Sequence, residues 1–213
     1  MKRTFTFLIA GLLAVTSLTV SAQEWNTGVD LYSSYVWRGT KFGSGPALQP
    51  SVEFSAGGFA IGAWGSYCFS GNEAMEADLY TSYSFELGEK SSLTFSVTDY
   101  YFPGAGSNWL DGDSHFFEPS ISLGLGKFSL LGTYMTNAKD MYFEAGLELG
   151  PVNLFLGTGD GAYTSSGKFS VCNLGVSTSR EIKITDSFSL PVSGSVILNP
   201  STEQFHIVVG ISL

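Results

Sequence analysis

Apolar side chains alternate with polar or small ones along almost the whole of this chain, from Trp25 to Leu213, and the alternation restarts after each turn signal. A period of two belongs to strands whose two faces meet different surroundings; helices return their apolar residues every three or four positions. Twelve such segments can be read. The first places Trp25, Val29, Leu31, Tyr35 and Trp37 on one face and Asn26, Asp30, Tyr32, Ser34 and Arg38 on the other. The second sets Leu48, Val52 and Phe54 against Gln49, Ser51, Glu53 and Ser55. The third sets Phe59, Ile61, Ala63, Tyr67 and Phe69 against Ala60, Gly62, Trp64, Ser66 and Cys68. In the fourth, the alternation runs unbroken from Met75 to Leu87, with Glu76, Asp78, Tyr80, Ser82, Ser84 and Glu86 on the polar side.

The other eight segments run approximately over 92–102, 115–125, 128–136, 141–149, 152–159, 169–180, 188–198 and 204–213. A shift of apolar parity between Val171 and Leu174 predicts a bulge in the tenth. Most segments have about the 9 to 11 residues that a tilted strand needs to cross a bilayer, more than the ~5 to 6 of an average soluble strand. Composition agrees: 26 glycines and 15% aromatic residues suit strands and tight turns, and only 14% of positions are charged, against ~25% in soluble domains.

Ahead of the strands, Lys2 and Arg3 precede an apolar run from Phe5 to Val20 that closes on Val20-Ser21-Ala22, the pattern of a cleaved secretory signal peptide. The run is interrupted by Gly11, Thr16, Ser17 and Thr19, which argues against a membrane anchor, and Gln23 follows the cleavage point where a lipidated chain would carry Cys. Residues 1–22 are therefore expected to be removed and 23–213 to form a single domain. No second apolar run of ~18 residues follows, so crossing a membrane by helices is excluded, whereas crossing by strands is not. Ten basic against nineteen acidic residues exclude a nucleic-acid partner. Cys68 and Cys172, far apart in the chain, make neither a disulfide framework nor a zinc pattern and read as two small side chains.

Alternation alone does not say which face points inward. The polar face carries Asp30, Arg38, Glu53, Glu76, Asp78, Glu86, Glu118, Glu144 and Glu148, and the opposite face is almost free of charge through the strand middles. A charged side chain on the lipid face of a barrel costs about 2–4 kcal/mol at the bilayer midplane, so the charge-free face fits lipid. Aromatic residues gather near segment ends, Tyr35, Trp37, Tyr67, Phe69, Phe117, Tyr134 and Phe143 at one rim and Trp25, Phe54, Phe59, Phe85, Phe128 and Phe188 at the other. Two such girdles mark a lipid-spanning barrel. Tight connections at Gly57-Gly58, Gly88 to Ser91, Gly126-Lys127 and Gly150-Pro151 alternate with longer ones after the first, fifth and ninth strands. Short turns on the periplasmic side and longer loops outside are the habit of outer-membrane barrels. The expected fold is thus all-β: a closed antiparallel up-and-down transmembrane barrel of about 12 strands with both termini periplasmic, in the outer membrane of a Gram-negative bacterium.

Several stretches also carry a family resemblance. Ser34-Tyr35-Val36-Trp37-Arg38-Gly39, Ala47-Leu48-Gln49, Gly58 to Ser66, Glu76-Ala77-Asp78-Leu79-Tyr80 and Tyr100-Tyr101-Phe102-Pro103-Gly104 resemble, in order, the TorF-like porins. The resemblance covers the first five segments and after Glu118 becomes only a rhythm of strands. It implies an outer-membrane barrel with channel activity and names neither a substrate nor a catalytic residue. The ending Phe205, Ile207, Val209, Ile211 and Leu213 resembles the carboxy-terminal strand by which the barrel assembly machinery recognises its clients, with Leu213 in place of the usual Phe.

Candidate pore-lining residues are Asp30, Tyr32, Arg38, Glu53, Trp64, Glu76, Asp78, Glu118, Glu144 and Glu148. Arg38, on the face of Asp30 and near Glu53 if the first two strands pair, is either a constriction residue that shapes ion traffic or the hub of a structural ion-pair cluster. Trp64 is either a ring-stacking contact or filler. The acids would draw cations and repel anions. Twelve strands ~4.8 Å apart and tilted ~40° close into a tube about 24 Å across, leaving at most ~12 Å between inward side chains. Passage of small solutes or ions fits such a bore. No catalytic residue, metal or cofactor is implied: His115 beside Ser114 and Asp113 sits in no hydrolase spacing, His206 points inward, and Asp111-Gly112-Asp113 is a turn before it is a calcium loop. The expected function is passive diffusion through a narrow acidic lumen, with outer-membrane lipids, the assembly machinery and small solutes as partners. A closed structural or adhesive barrel that binds through the loop from Pro103 to Ser114, and a soluble periplasmic lipid carrier, are the alternatives.

Overall fold

The computed structural model describes residues 23–70, 75–104 and 106–213; the expected signal peptide lies outside them. Fourteen strands follow in chain order: β1 (Gln23–Tyr32), β2 (Tyr35–Trp37), β3 (Thr40–Phe42), β4 (Ala47–Ala56), β5 (Phe59–Cys68), β6 (Met75–Gly88), β7 (Ser91–Tyr101), β8 (His115–Leu125), β9 (Phe128–Met135), β10 (Asp140–Leu149), β11 (Val152–Gly161), β12 (Gly167–Lys183), β13 (Ser189–Asn199) and β14 (Gln204–Ser212). Twelve of them form one closed antiparallel barrel, each pairing with its neighbour in the chain once the short β2 and β3 are set aside. The ring closes where β1 meets β14, through Asp30↔Ser212, Leu31↔Ile211 and Tyr32↔Gly210. Backbone bonds exchanged between Val29 and Leu213 extend this seam, so the barrel closes on itself without a free edge among the described residues.

The alternation sorts the two faces as the residue chemistry requires. Outward side chains are large, apolar and uncovered, among them Ile61, Leu79, Phe95, Ile121, Leu130, Phe143 and Ile207. Buried among tyrosines and small or apolar side chains are many polar ones: Gln49, Ser66, Glu76, Asp78, Glu118, Thr133, Asn173 and Asn199. A soluble barrel would be built the other way round, with its hydrocarbon inside. The first and last barrel strands start and end at the same end of the barrel as the two-residue turns 57–58, 89–90, 126–127 and 150–151 and the five-residue 184–188 connection; the long 102–114 connection lies at the other end.

Two departures from strict alternation shape the interior. The bulge foreseen in the tenth segment lies in β12: Gly157 pairs with Asn173 but Thr158 with Val171, so Cys172 is the extra residue. Its consequence is that Cys172 and Asn173, adjacent in sequence, are both buried. No disulfide joins Cys172 to Cys68.

The second departure corrects the reading of the first segment. That segment does not run through to Arg38; β1 stops at Tyr32, and residues 35–42 form a separate two-stranded hairpin, β2–β3, with Tyr35↔Phe42, Val36↔Lys41 and Trp37↔Thr40 as partners. Arg38 and Gly39 occupy its tip with φ of 50° and 80°. Both central residues in the left-handed region define the type I′ turn that matches the twist of a two-residue hairpin. The alternation continued through Tyr35 and Trp37 because β2 is itself a strand. These two aromatic residues therefore do not join the outer girdle; they enter the barrel.

Candidate functional site: a hairpin across the lumen

The hairpin touches strands all around the ring, which places it inside. Tyr35 packs on Trp64 of β5 at 5.6 Å between ring centroids. Trp37 packs on Tyr100 of β7 at 5.7 Å and on Tyr163, in the β11–β12 connection, at 5.6 Å. At the tip, Asn199 at the end of β13 donates its side-chain amide to the Gly39 carbonyl at 3.3 Å. Gly39 lies against the carbonyl of the bulged Cys172 so closely that a Cβ would collide with it. Glycine is thus required at this turn position both for its φ and for its lack of a side chain.

Arg38 is the lock. Its two terminal nitrogens reach the two carboxylate oxygens of Glu118 on β8, at 2.6 and 2.8 Å. The first also donates to the Tyr163 hydroxyl at 2.7 Å. Glu118 accepts in addition from Tyr100 at 3.1 Å, Thr133 at 3.1 Å and Tyr163 at 3.3 Å. The guanidinium is sandwiched between rings, 4.3 Å from the centroid of Trp37 and 4.4 Å from that of Tyr142. The side chains of Arg38 and Glu118 retain only 10% and 3% of their exposure. A forked cation meeting a forked anion, with rings above and below, is geometry that lysine could not supply. Burial works against the charge on Arg38, but the bonds and field of Glu118 outweigh it and hold the guanidinium above its ordinary value. Burial likewise raises the Tyr163 hydroxyl, in spite of the neighbouring Arg38, so it stays protonated and passes the Arg38 hydrogen bond on to Glu118.

A second layer supports the first. Tyr142, fully buried, donates to Glu144, and the Asn173 amide donates to both the Tyr142 hydroxyl and Glu144 at 2.9 Å. Tyr142 can lie flat there because Gly157, the partner of Glu144 on β11, has no side chain; any Cβ there would strike the Tyr142 hydroxyl.

Of the candidates read from sequence, Arg38, Glu118 and Glu144 meet in this cluster. Arg38 does not pair with Glu53 beside β1, as the unbroken first strand implied; the hairpin carries it five strands around the ring, to β8. Glu53 instead accepts from Tyr80 at 3.0 Å. Trp64, Glu76 and Asp78 lie on the other side of the hairpin, Asp30 and Tyr32 near the closing seam, and Glu148 is exposed toward the tight-turn end. Sequence reasoning missed Tyr100, Thr133, Tyr142, Tyr163 and Asn173. Tyr100, Thr133 and Tyr142 share parity with known inward residues, a signal present in the alternation; Tyr163 lies in a connection and carried none.

The hairpin divides the lumen. One cavity of about 310 Å³ is bounded by Tyr35, Trp37, Trp64, Asp78, Tyr80 and Tyr100. A second of about 280 Å³, bounded by Tyr32, Ser34, Tyr35, Gln49 and Ser195, lies toward the closing seam. A third, of about 340 Å³, opens toward the tight turns beside Ser129, Glu144, Glu148 and Asn153.

At the opposite mouth, His115 is held by Asp99 at 2.9 Å through Nδ1 and by the Trp109 carbonyl at 2.8 Å through Nε2. Both partners are acceptors, so the ring is held at both of its nitrogens. It pins the 102–114 connection to the rim, stacked on Tyr101 and meeting Trp109 edge-on. Asp111 caps the Gly112–Ser114 turn through the Asp113 amide, which is the turn expected of Asp-Gly-Asp.

Fold and site thus define a closed twelve-stranded antiparallel barrel with a polar interior crossed by a clamped hairpin. The chain belongs to the Gcw_chp family, described as a bacterial protein of unknown function, whose model matches residues 17–159. That match does not extend to the TorF-like name resembled by the strand motifs. No curated protein matches the chain. Among solved structures it is similar to OccAB3 of Acinetobacter baumannii, at TM-score 0.40 and 7% identity over 89% of this chain and 64% of that one. It is also similar to OprD of Pseudomonas aeruginosa, at TM-score 0.36 and 11% identity over 90% of this chain and 66% of that one. The chain spans just under two-thirds of the length of these structures.

Proposed function

We propose that this protein is an outer-membrane channel for small solutes or ions, passive and narrow, in which the β2–β3 hairpin forms the constriction and Arg38 its charged point. In this reading the apolar belt meets acyl chains, the tight turns and both termini face the periplasm, and the longer connections face outward. The observation that carries it is open space on both sides of the hairpin: a structural plug would be packed to the density of a protein interior, with few voids larger than a water molecule. Cavities of about 310 and 280 Å³ flank it instead. Asp30, Tyr32, Glu53, Trp64, Glu76, Asp78, Glu144 and Glu148 line the path, and their carboxylates outnumber the clamped Arg38 and the Lys127 of the third cavity, which favours cations.

The clamp itself favours a second reading, a permanently closed barrel of structural or adhesive role. Planar-bilayer recordings separate the two. The channel reading predicts small conductance steps from wild-type protein and a reversal potential in a salt gradient that reports cation preference. It also predicts larger steps when Arg38→Ala unlocks the hairpin. Silence from both proteins, each correctly folded, overturns it.

A further inference from the structure

The cavity between the hairpin and strands β5, β6 and β7 has a chemistry of its own. Its walls are the rings of Tyr35, Trp37, Trp64, Tyr80 and Tyr100, and Asp78 faces into it. Asp78 is only 7% exposed, and its Oδ1 has no hydrogen-bond partner. A buried carboxylate oxygen without a donor costs free energy that the fold normally avoids, and each such case calls for a reason. No basic side chain of the described residues answers it: Arg38 lies across the Trp37 ring and is committed to Glu118, and the remaining described ion pairs are His115–Asp99 and Lys183–Asp186. The nearby acids increase the deficit, since Glu76 is buried two residues away on the same face and Glu53 sits at the end of the Tyr80 hydroxyl.

From this we propose that the cavity binds a small organic ammonium ion, with Asp78 as its counter-charge and Trp64 and the tyrosines as a cage of ring faces. Aromatic faces attract cations through their quadrupoles, most strongly at tryptophan and where water is excluded. A compact metal cation is not the match. Such ions need several oxygen ligands, most of them carboxylates and carbonyls, and this space offers one open carboxylate and the Thr98 hydroxyl among rings. An alkylammonium head, with charge spread over methyl or methylene groups and weakly hydrated, fits both walls and counter-charge, and a volume of about 310 Å³ holds it with room for water.

The inference deepens the channel reading by naming a class of solute, and it rests on that reading for the route by which the ligand arrives. Its test is equilibrium binding of choline chloride to the folded protein in detergent, followed by tryptophan fluorescence, because Trp37 and Trp64 border the cavity. A saturable change is expected. Asp78→Asn, nearly isosteric, weakens it roughly 30-fold, the effect of removing one partner of a buried charge pair. Trp64→Leu weakens it about fivefold through loss of the best ring face. Asp186→Asn, on the surface, leaves it unchanged. An equal change with sodium chloride at the same ionic strength, or full binding by Asp78→Asn with unchanged β-sheet circular dichroism, overturns the cage. Binding without conductance upholds the cage and overturns the channel, and conductance without binding does the reverse.

Discussion

Arg38 concentrates more interactions than any other residue described here, and each has a physical reason. Two buried charges are stable together only if their geometry is close to ideal and their remaining hydrogen-bond capacity is filled. Glu118 meets that condition with bonds from Arg38, Tyr100, Thr133 and Tyr163. Removing one charge leaves the other buried without a counter-charge. Arg38→Ala and Glu118→Gln are each expected to lower stability by about 3–5 kcal/mol, measured by urea unfolding from lipid vesicles. Thr133→Val removes one neutral donor to the carboxylate and is expected to cost less, about 1.5–3 kcal/mol. The double variant Arg38→Ala with Glu118→Gln is expected to lose less than the sum of the two single changes, because no unpaired charge remains. Equal and additive losses would mean that the pair is not coupled in the folded barrel.

The β2–β3 hairpin is an element that the sequence conceals and the structure explains. Alternation revealed the twelve barrel strands because a strand with one wet and one greasy face must obey a period of two. The same rule hid the hairpin, since β2 alternates as β1 does and its apolar residues, Tyr35 and Trp37, suit a lipid girdle as well as a lumen. What distinguishes them is local: Ser33 and Ser34 break the strand, and Arg38-Gly39 supplies a turn tip where a membrane-crossing strand would have none. The bulge at Cys172 was legible as a parity shift, but its purpose, to make room for the Gly39 tip and turn Asn173 inward, depends on a contact between residues more than a hundred positions apart. Gly39→Ala tests the element directly. A β-carbon there is strained at a φ of 80° and meets the Cys172 carbonyl. A cost of about 1–3 kcal/mol is expected to appear as a hairpin that leaves its seat, read as noisier and larger conductance steps.

Across the whole molecule, the barrel exposes hydrocarbon and buries polar groups, and the channel reading depends on this inversion. It predicts opposite costs for the same substitution on neighbouring residues of β6. Leu79→Lys places a charge in the apolar belt and is expected to destabilise the barrel in bilayers by about 2–4 kcal/mol. Ser82→Lys, on the luminal face, is expected to change little. Similar losses for both, followed by refolding yield into vesicles, would mean that the outer surface does not meet lipid. Within that barrel the central claim is that the hairpin sits in the lumen and is held there by Arg38 and Glu118. Cys172 reports on it, being fully buried beneath the Gly39 tip. In a Cys68→Ser background, the rate at which a small water-soluble maleimide labels Cys172 in folded, membrane-inserted protein is the most direct measurement. Slow labelling in that background, and labelling at least about tenfold faster once Arg38→Ala costs the clamp its energy, is the predicted result. Equally fast labelling with and without Arg38 would contradict it, since the hairpin would then not be covering the lumen wall at all.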